Sequence, residues 1–204
     1  MWQAIHTELA PHGFTVLGVA LDRQAADIRP YVEAAAPSFP VWLDPDHRTA
    51  ELFGIINVPS GVWIDGAGVV VQPADVAFAN DAFIDFHGIA SGPHLDALRA
   101  WVTTDRLPFD AATAQSRQRV PTADEQLARA EFALAWWLHQ HGYAAAAEAH
   151  FARASTLAPF DFTISRGSMP IRGLDPMGAD FAPLYQSWRD AGMPYYRTPP
   201  GSSD

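Results

Sequence analysis

The sequence predicts an α/β architecture: a layered α/β domain followed by a small α-helical region. Three observations carry that reading. Apolar runs of strand length alternate with amphipathic helical stretches up to residue 104, the segment GVWIDGAGVVV reads as two strands about a glycine turn, and the patterning after Thr122 turns helical.

Trp2, Ile5 and Leu9 fall at helical spacing in an opening helix that Pro11 and Gly13 stop. Residues 14–21, FTVLGVAL, form an almost continuous apolar run, which fits a strand buried on both faces in a parallel sheet. A helix follows in DRQAADIRPYVEAAAP, closed by Pro37, and then a short strand over 41–43. A helix over 46–53 ends at Gly54, where a left-handed residue closes the last turn. Residues 61–64 and 69–72 form a hairpin across Asp65-Gly66-Ala67-Gly68, whose glycines reach positive φ without steric penalty. The stretch 73–92, with no Lys or Arg, is longer than a connection needs to be and reads as an insertion with its own role. A helix near 93–104 completes a first domain over 1–105. Residues 106–121 are polar and Pro-bounded and read as a linker, after which Thr122 and Glu125 make a capping box that opens a second region over 122–204.

Composition excludes several function classes. With 49% apolar residues, seven Trp and twelve Phe, there is ample material for a core in 204 residues. A net charge of −10 repels phosphate backbones and anionic membranes, so neither nucleic acid nor a membrane is an expected partner. All 13 basic residues are Arg, which removes Schiff-base chemistry and a P-loop lysine. Zero Cys removes disulfides, iron–sulfur clusters and thiolate metal sites. As written the chain carries no basic-plus-apolar leader and no span-length apolar run, and the expectation is a cytoplasmic protein.

From residue 14 to about 102 the chain resembles the redoxin branch of the thioredoxin-like superfamily, the TlpA/ResA-type thiol-disulfide reductases and their peroxiredoxin (AhpC/TSA) relatives. The pieces that carry the resemblance are GFTVLGVALD, FPVWLDPD, ELFGIINVPS and GVWIDGAGVVV, in that order. The resemblance implies that Val58-Pro59 occupies the family's cis-proline position facing the active site, with Asn57, Ser60, Trp42 and Trp63 lining the same face as a residual binding cleft. It also implies that the family's reactive C-x-x-C would sit at the start of the helix in which Met1 falls. The thioredoxin-like sandwich is then incomplete at the N-terminus, lacking the central strand between TVLGVAL and GVWID. Open inner edges invite strand addition, so the expected outcomes are a homo-oligomer, a dimer first among them, a partner chain completing the sheet, an altered strand order, or an upstream segment lost through a mis-assigned start.

GYAAAAEAHFARASTLAP resembles the second helix of a tetratricopeptide repeat, with Gly142, Ala147, Phe151, Ala154 and Pro159 at its intervals. ADEQLARAEFALAWWLHQH supplies a partner helix, so 122–204 reads as one helical hairpin with an aromatic-rich extension.

Individual residues give weaker signals. His139 and His141 stand two apart on a helix and point away from each other, so they cannot share a metal ion. His87, His94 and His150 lie on separate segments; His87, His139 and His150 are the weak metal candidates. Arg166 and Arg172, beside Ser168 and Asp175 in a Gly- and Pro-rich loop, either clamp an anion or pair with the chain's many acids. Tyr185, Trp188, Tyr195 and Tyr196 read as a cover over exposed core. Ser60 lacks a His–acid pair in sequence context and makes a poor nucleophile. No cofactor is expected. The functional expectation is a cysteine-free, redoxin-like protein acting by ligand or protein binding or by self-association. The alternatives are a shortened thiol-disulfide oxidoreductase and a His-ligated haem or metal oxygenase on the same scaffold.

Overall fold

The computed structural model describes residues 2–77, 79–82, 84 and 88–193. The chain is mixed α/β and forms two compact units. One contains the described residues up to Thr49 together with Pro59–Gln118; the other contains Ala50–Val58 and residues 119–193.

In the first unit the order is α1 (Trp2–Leu9), β1 (Gly18–Ala20), α2 (Ala25–Ala35) and β2 (Val41–Leu43). The chain passes to the second unit in α3 (Arg48–Phe53) and returns with β3 (Ser60–Ile64), β4 (Val70–Val76), α4 (Gly92–Thr104) and α5 (Ala111–Arg117). Local chemistry explains several boundaries. Asp44 caps α3 by accepting from the Arg48 and Thr49 amides at 2.9 and 2.6 Å. Asp65 Oδ1 accepts from Ala67 N and Val69 N, which pins the β3–β4 turn. Asp110 caps α5 through Thr113 N at 2.8 Å, so the stretch 106–121, read from sequence as a linker, carries a helix whose Ala114 is buried.

The strands form two separate ribbons, a parallel β1–β2 pair and an antiparallel β3–β4 pair. The reading of 14–21 as a strand buried on both faces is therefore corrected: only Gly18–Ala20 is strand, and no residue from 14 to 21 is buried. The physical reason is coordination. Two-sided burial needs a neighbour on each edge and a layer on each face, and β1 is paired along one edge.

The core of this unit lies against β3. Ile5 and Leu9 from α1, Leu95 and Leu98 from α4, and Trp63 from β3 pack together, with Trp63 stacked on Trp101 at 5.3 Å. The other side of α1 reaches the β1–β2 ribbon. Gln3 exchanges two hydrogen bonds with Ser38, at 2.8 and 2.7 Å, and His6 meets Phe39 edge-on.

The second unit is built on α6 (Ala123–Gln140) and α7 (Ala144–Leu157), followed by α8 (Ser165–Ser168) and α9 (Ala182–Asp190). The Thr122–Glu125 capping box opens α6 as the sequence predicts. A short turn with Gly142 at φ 81° joins α6 to α7, and the two helices share one core. Ala128, Phe132 and Ala135 face Ala147, Phe151 and Ala154; the alanines let the axes approach, and the two Phe rings, 5.7 Å apart, fill the seam. Trp188 of α9 is buried against Phe162, and Phe181 and Tyr185 join the same aromatic group. Tyr195 and Tyr196 lie outside the described residues.

Segment Ala50–Val58 belongs here because a polar knot holds it. Arg129 donates to Ile55 O at 2.8 Å and to Asp161 Oδ2 at 2.6 Å, while Phe162 N and Thr163 N donate to Ile56 O. Asp161 Oδ1 also accepts from Thr163 N and Oγ1. Burial pushes the Asp161 carboxyl up, and Arg129 and Thr163 pull against it. The Asp161 side chain is nearly solvent-free and that of Arg129 is mostly covered, so removing Arg129 leaves a buried acid without its cation. Arg129→Met should destabilise the second unit by about 3–5 kcal/mol. Arg153→Met, which removes a 59% exposed partner of Glu131, should cost under about 1 kcal/mol. Denaturant unfolding of the two variants checks the contrast.

Candidate functional site

Among the described residues β1 is paired along one edge, and its other edge is the most unusual surface of the first unit. Gly18 N donates to Pro40 O at 3.0 Å, and Ala20 O accepts from Asp44 N at 2.8 Å. In a parallel ladder, alternate residues face opposite edges, so Gly18 and Ala20 face β2 while Val19 turns its N–H and C=O to the other side. The end of the strand is held in place, with His47 Nε2 against Leu21 O at 2.9 Å. What results is a fixed, apolar strand with one open edge. Around it Leu17 is exposed, and Trp42 of β2 is 61% exposed.

The residues expected to form a cleft divide between the two units. Trp63 lies in the core, and Trp42 stands out from β2. Pro59 precedes β3 and accepts from Ala77 N, and Ser60 begins the strand. Asn57 and Val58 belong to the second unit, where Val58 is exposed and its amide is bonded by the Asn57 side chain. Elsewhere in the first unit an open hollow of about 390 Å³ is lined by Val69, Val71, Leu107, Ala111, Ala114 and Gln118. Its one carboxylate, Asp110, is engaged in capping α5.

In the second unit Arg166 and Arg172 are both engaged. Arg166 donates to Pro176 O at 2.8 Å, lies over the Phe181 ring and contacts Met177. Arg172 makes a bidentate pair with Glu148 at 2.9 and 2.7 Å, which holds the Glu148 carboxyl below its ordinary range. Both guanidiniums therefore brace the loop between α7 and α9. Residues 161–165, at the start of the stretch read as a loop, are buried, and α8 begins at Ser165.

His139 stacks on Trp136, and His150 sets Nδ1 against Glu131 Oε2, with Arg153 on the other carboxylate oxygen at 3.2 Å. His87 lies outside the described residues. Among the described residues no three His, Asp or Glu side chains converge as a metal ion would require. Glu131 went unremarked in the sequence, although an acid one residue from Phe132 and Ala128's side of α6 was a visible signal.

His94 is buried beside Trp63, 5.5 Å away, and Trp2, 6.5 Å away, and its Nε2 has no hydrogen-bond partner among the described residues. Burial holds its pKa down to about 4. Among the described residues no helix is long and apolar enough to cross a membrane. Comparison of the chain with known protein families, with characterised proteins and with solved structures finds no match.

His94 makes the first unit sensitive to acid. Unfolded, its imidazole takes a proton near the ordinary value of 6.5; folded, it resists down to about 4. Its contribution is therefore complete above pH 6.5 and lost as pH falls toward 4, by at most about 3 kcal/mol. Denaturant unfolding followed across that window should show the slope, and His94→Phe should flatten it.

Proposed function

We propose that the chain is a thioredoxin-like module of the redoxin type, followed by a tetratricopeptide-like helical pair, that acts by binding an added β-strand. It performs no dithiol chemistry of its own. The carrying observation is the open edge of β1, an apolar strand with one paired side and no buried residue in the run around it. Strand edges recruit extended segments through main-chain hydrogen bonds, and side-chain pockets supply the selectivity. The order of pieces in the sequence supports the same reading, since the redoxin pattern puts its central strand beside FTVLGVAL. Zero Cys leaves no sulfur nucleophile for thiol exchange.

The segment that adds here is extended, apolar and part of another polypeptide. A short peptide of alternating Val and Thr serves as a generic probe, because the edge reads backbone first. Added to the full chain, it should slow amide exchange at Val19 in a saturable way. Val19→Pro should abolish binding while leaving the unit folded, since proline is tolerated on an edge strand whose N–H faces outward. Unchanged exchange at Val19 with a panel of strand-forming peptides would overturn the proposal.

A further inference from the structure

The outward face of α6 carries an apolar stripe along its whole length. Ala123, Leu127, Ala130, Leu134 and Trp137 are all exposed, and His141 continues the line past the helix end. Leu127 is 40%, Leu134 42% and Trp137 50% exposed. At about 100° per residue, this stripe is centred about 140° around the helix from the Ala128, Phe132 and Ala135 face that packs on α7. The spacing alternates three and four residues, the seam of a helix that pairs with another helix.

The stripe is complementary to itself. When two copies lie antiparallel with their Phe132 positions at the same height, Leu127 falls opposite Trp137, Ala130 opposite Leu134, and Ala123 opposite His141. Each small residue thus meets a large one, which is what close interdigitation needs. The ends match as well. The first turn carries Asp124 and the stripe ends at His141, so antiparallel pairing brings a carboxylate near an imidazole and opposes the two helix dipoles. Trp137 is also held ready: it stacks on His141 at 3.9 Å and runs nearly parallel to Tyr143 at 6.4 Å, while His141 Nδ1 bonds to Trp137 O. A large aromatic ordered before contact loses little freedom on binding.

We infer that α6 is a self-association surface and that its occupant is the α6 of a second copy, packed antiparallel about a two-fold axis. The surface is distinct from the β1 edge, so either proposal can fail without the other.

Sedimentation of the full chain over a concentration series tests it. A monomer–dimer equilibrium is expected; Leu134→Glu should weaken it by about thirtyfold or more with helical content unchanged. Val19→Pro should leave it intact. Because the chain has no cysteine, introduced thiols report the register cleanly. Under mild oxidation, Ala130→Cys mixed with Leu134→Cys should give a crosslinked heterodimer, whereas Ala123→Cys mixed with Leu127→Cys should not. A monomer at every concentration, a dimer indifferent to Leu134→Glu, or crosslinking of Ala130→Cys only to itself would overturn the inference. So would binding of a foreign amphipathic helix to this face while the chain stays monomeric.

Discussion

A single buried carboxylate organises the second unit. Asp161 sits out of solvent, and an acid in that position is tolerable only when its lone pairs are satisfied and a cation stands beside it. Arg129 supplies the cation from α6, Thr163 supplies two donors, and the Asp161 carbonyl accepts from Ile164, Ser165 and the Ser165 hydroxyl. The same guanidinium also holds Ile55, so a segment far away in sequence becomes part of the helical unit. Hydrophobic packing between α6 and α7 gives the unit its bulk. The knot decides which backbone joins it.

The first unit has the opposite character. Its packed part is the β3–β4 ribbon with α1 and α4, where Trp63, Trp101 and His94 meet. Its other ribbon is anchored through Asp44, His47 and the Gln3–Ser38 pair, all of them polar ties. Polar ties fix position, while burial supplies most of the free energy. β1 is therefore well placed yet weakly covered, the condition in which an added strand gains both backbone partners and apolar area.

What was legible in the sequence was what is decided locally. The capping box at Thr122, the left-handed Gly54, the Asp65–Gly68 turn and the helix before Thr104 each depend on a few neighbouring residues, and each forms where the sequence places it. Burial of FTVLGVAL was misjudged because it depends on partners that no periodicity reveals. α5 falls in a stretch that reads as linker, although Asp110 before AATAQSR is an ordinary N-cap; a helix this short lives on its contacts, and propensity alone barely announces it. Arg166 and Arg172 could be named as engaged or free only once Glu148 and Pro176 were located. Of the cleft residues, Trp63 shows the limit most clearly: alternation places it on a face, and packing decides that the face is the core.

The knot at Asp161 also orders events during synthesis. Ile55 and Ile56 leave the ribosome well before Arg129 and Asp161 exist, and Pro59–Gln118, which lies between them in sequence, belongs to the other unit. The Ile55 carbonyl therefore lacks its final partner while about a third of the protein is made, and the Ile56 carbonyl while about half is made. The helical unit can acquire its own seam early, because α6 and α7 are adjacent in the chain, but it closes only when translation has passed Thr163.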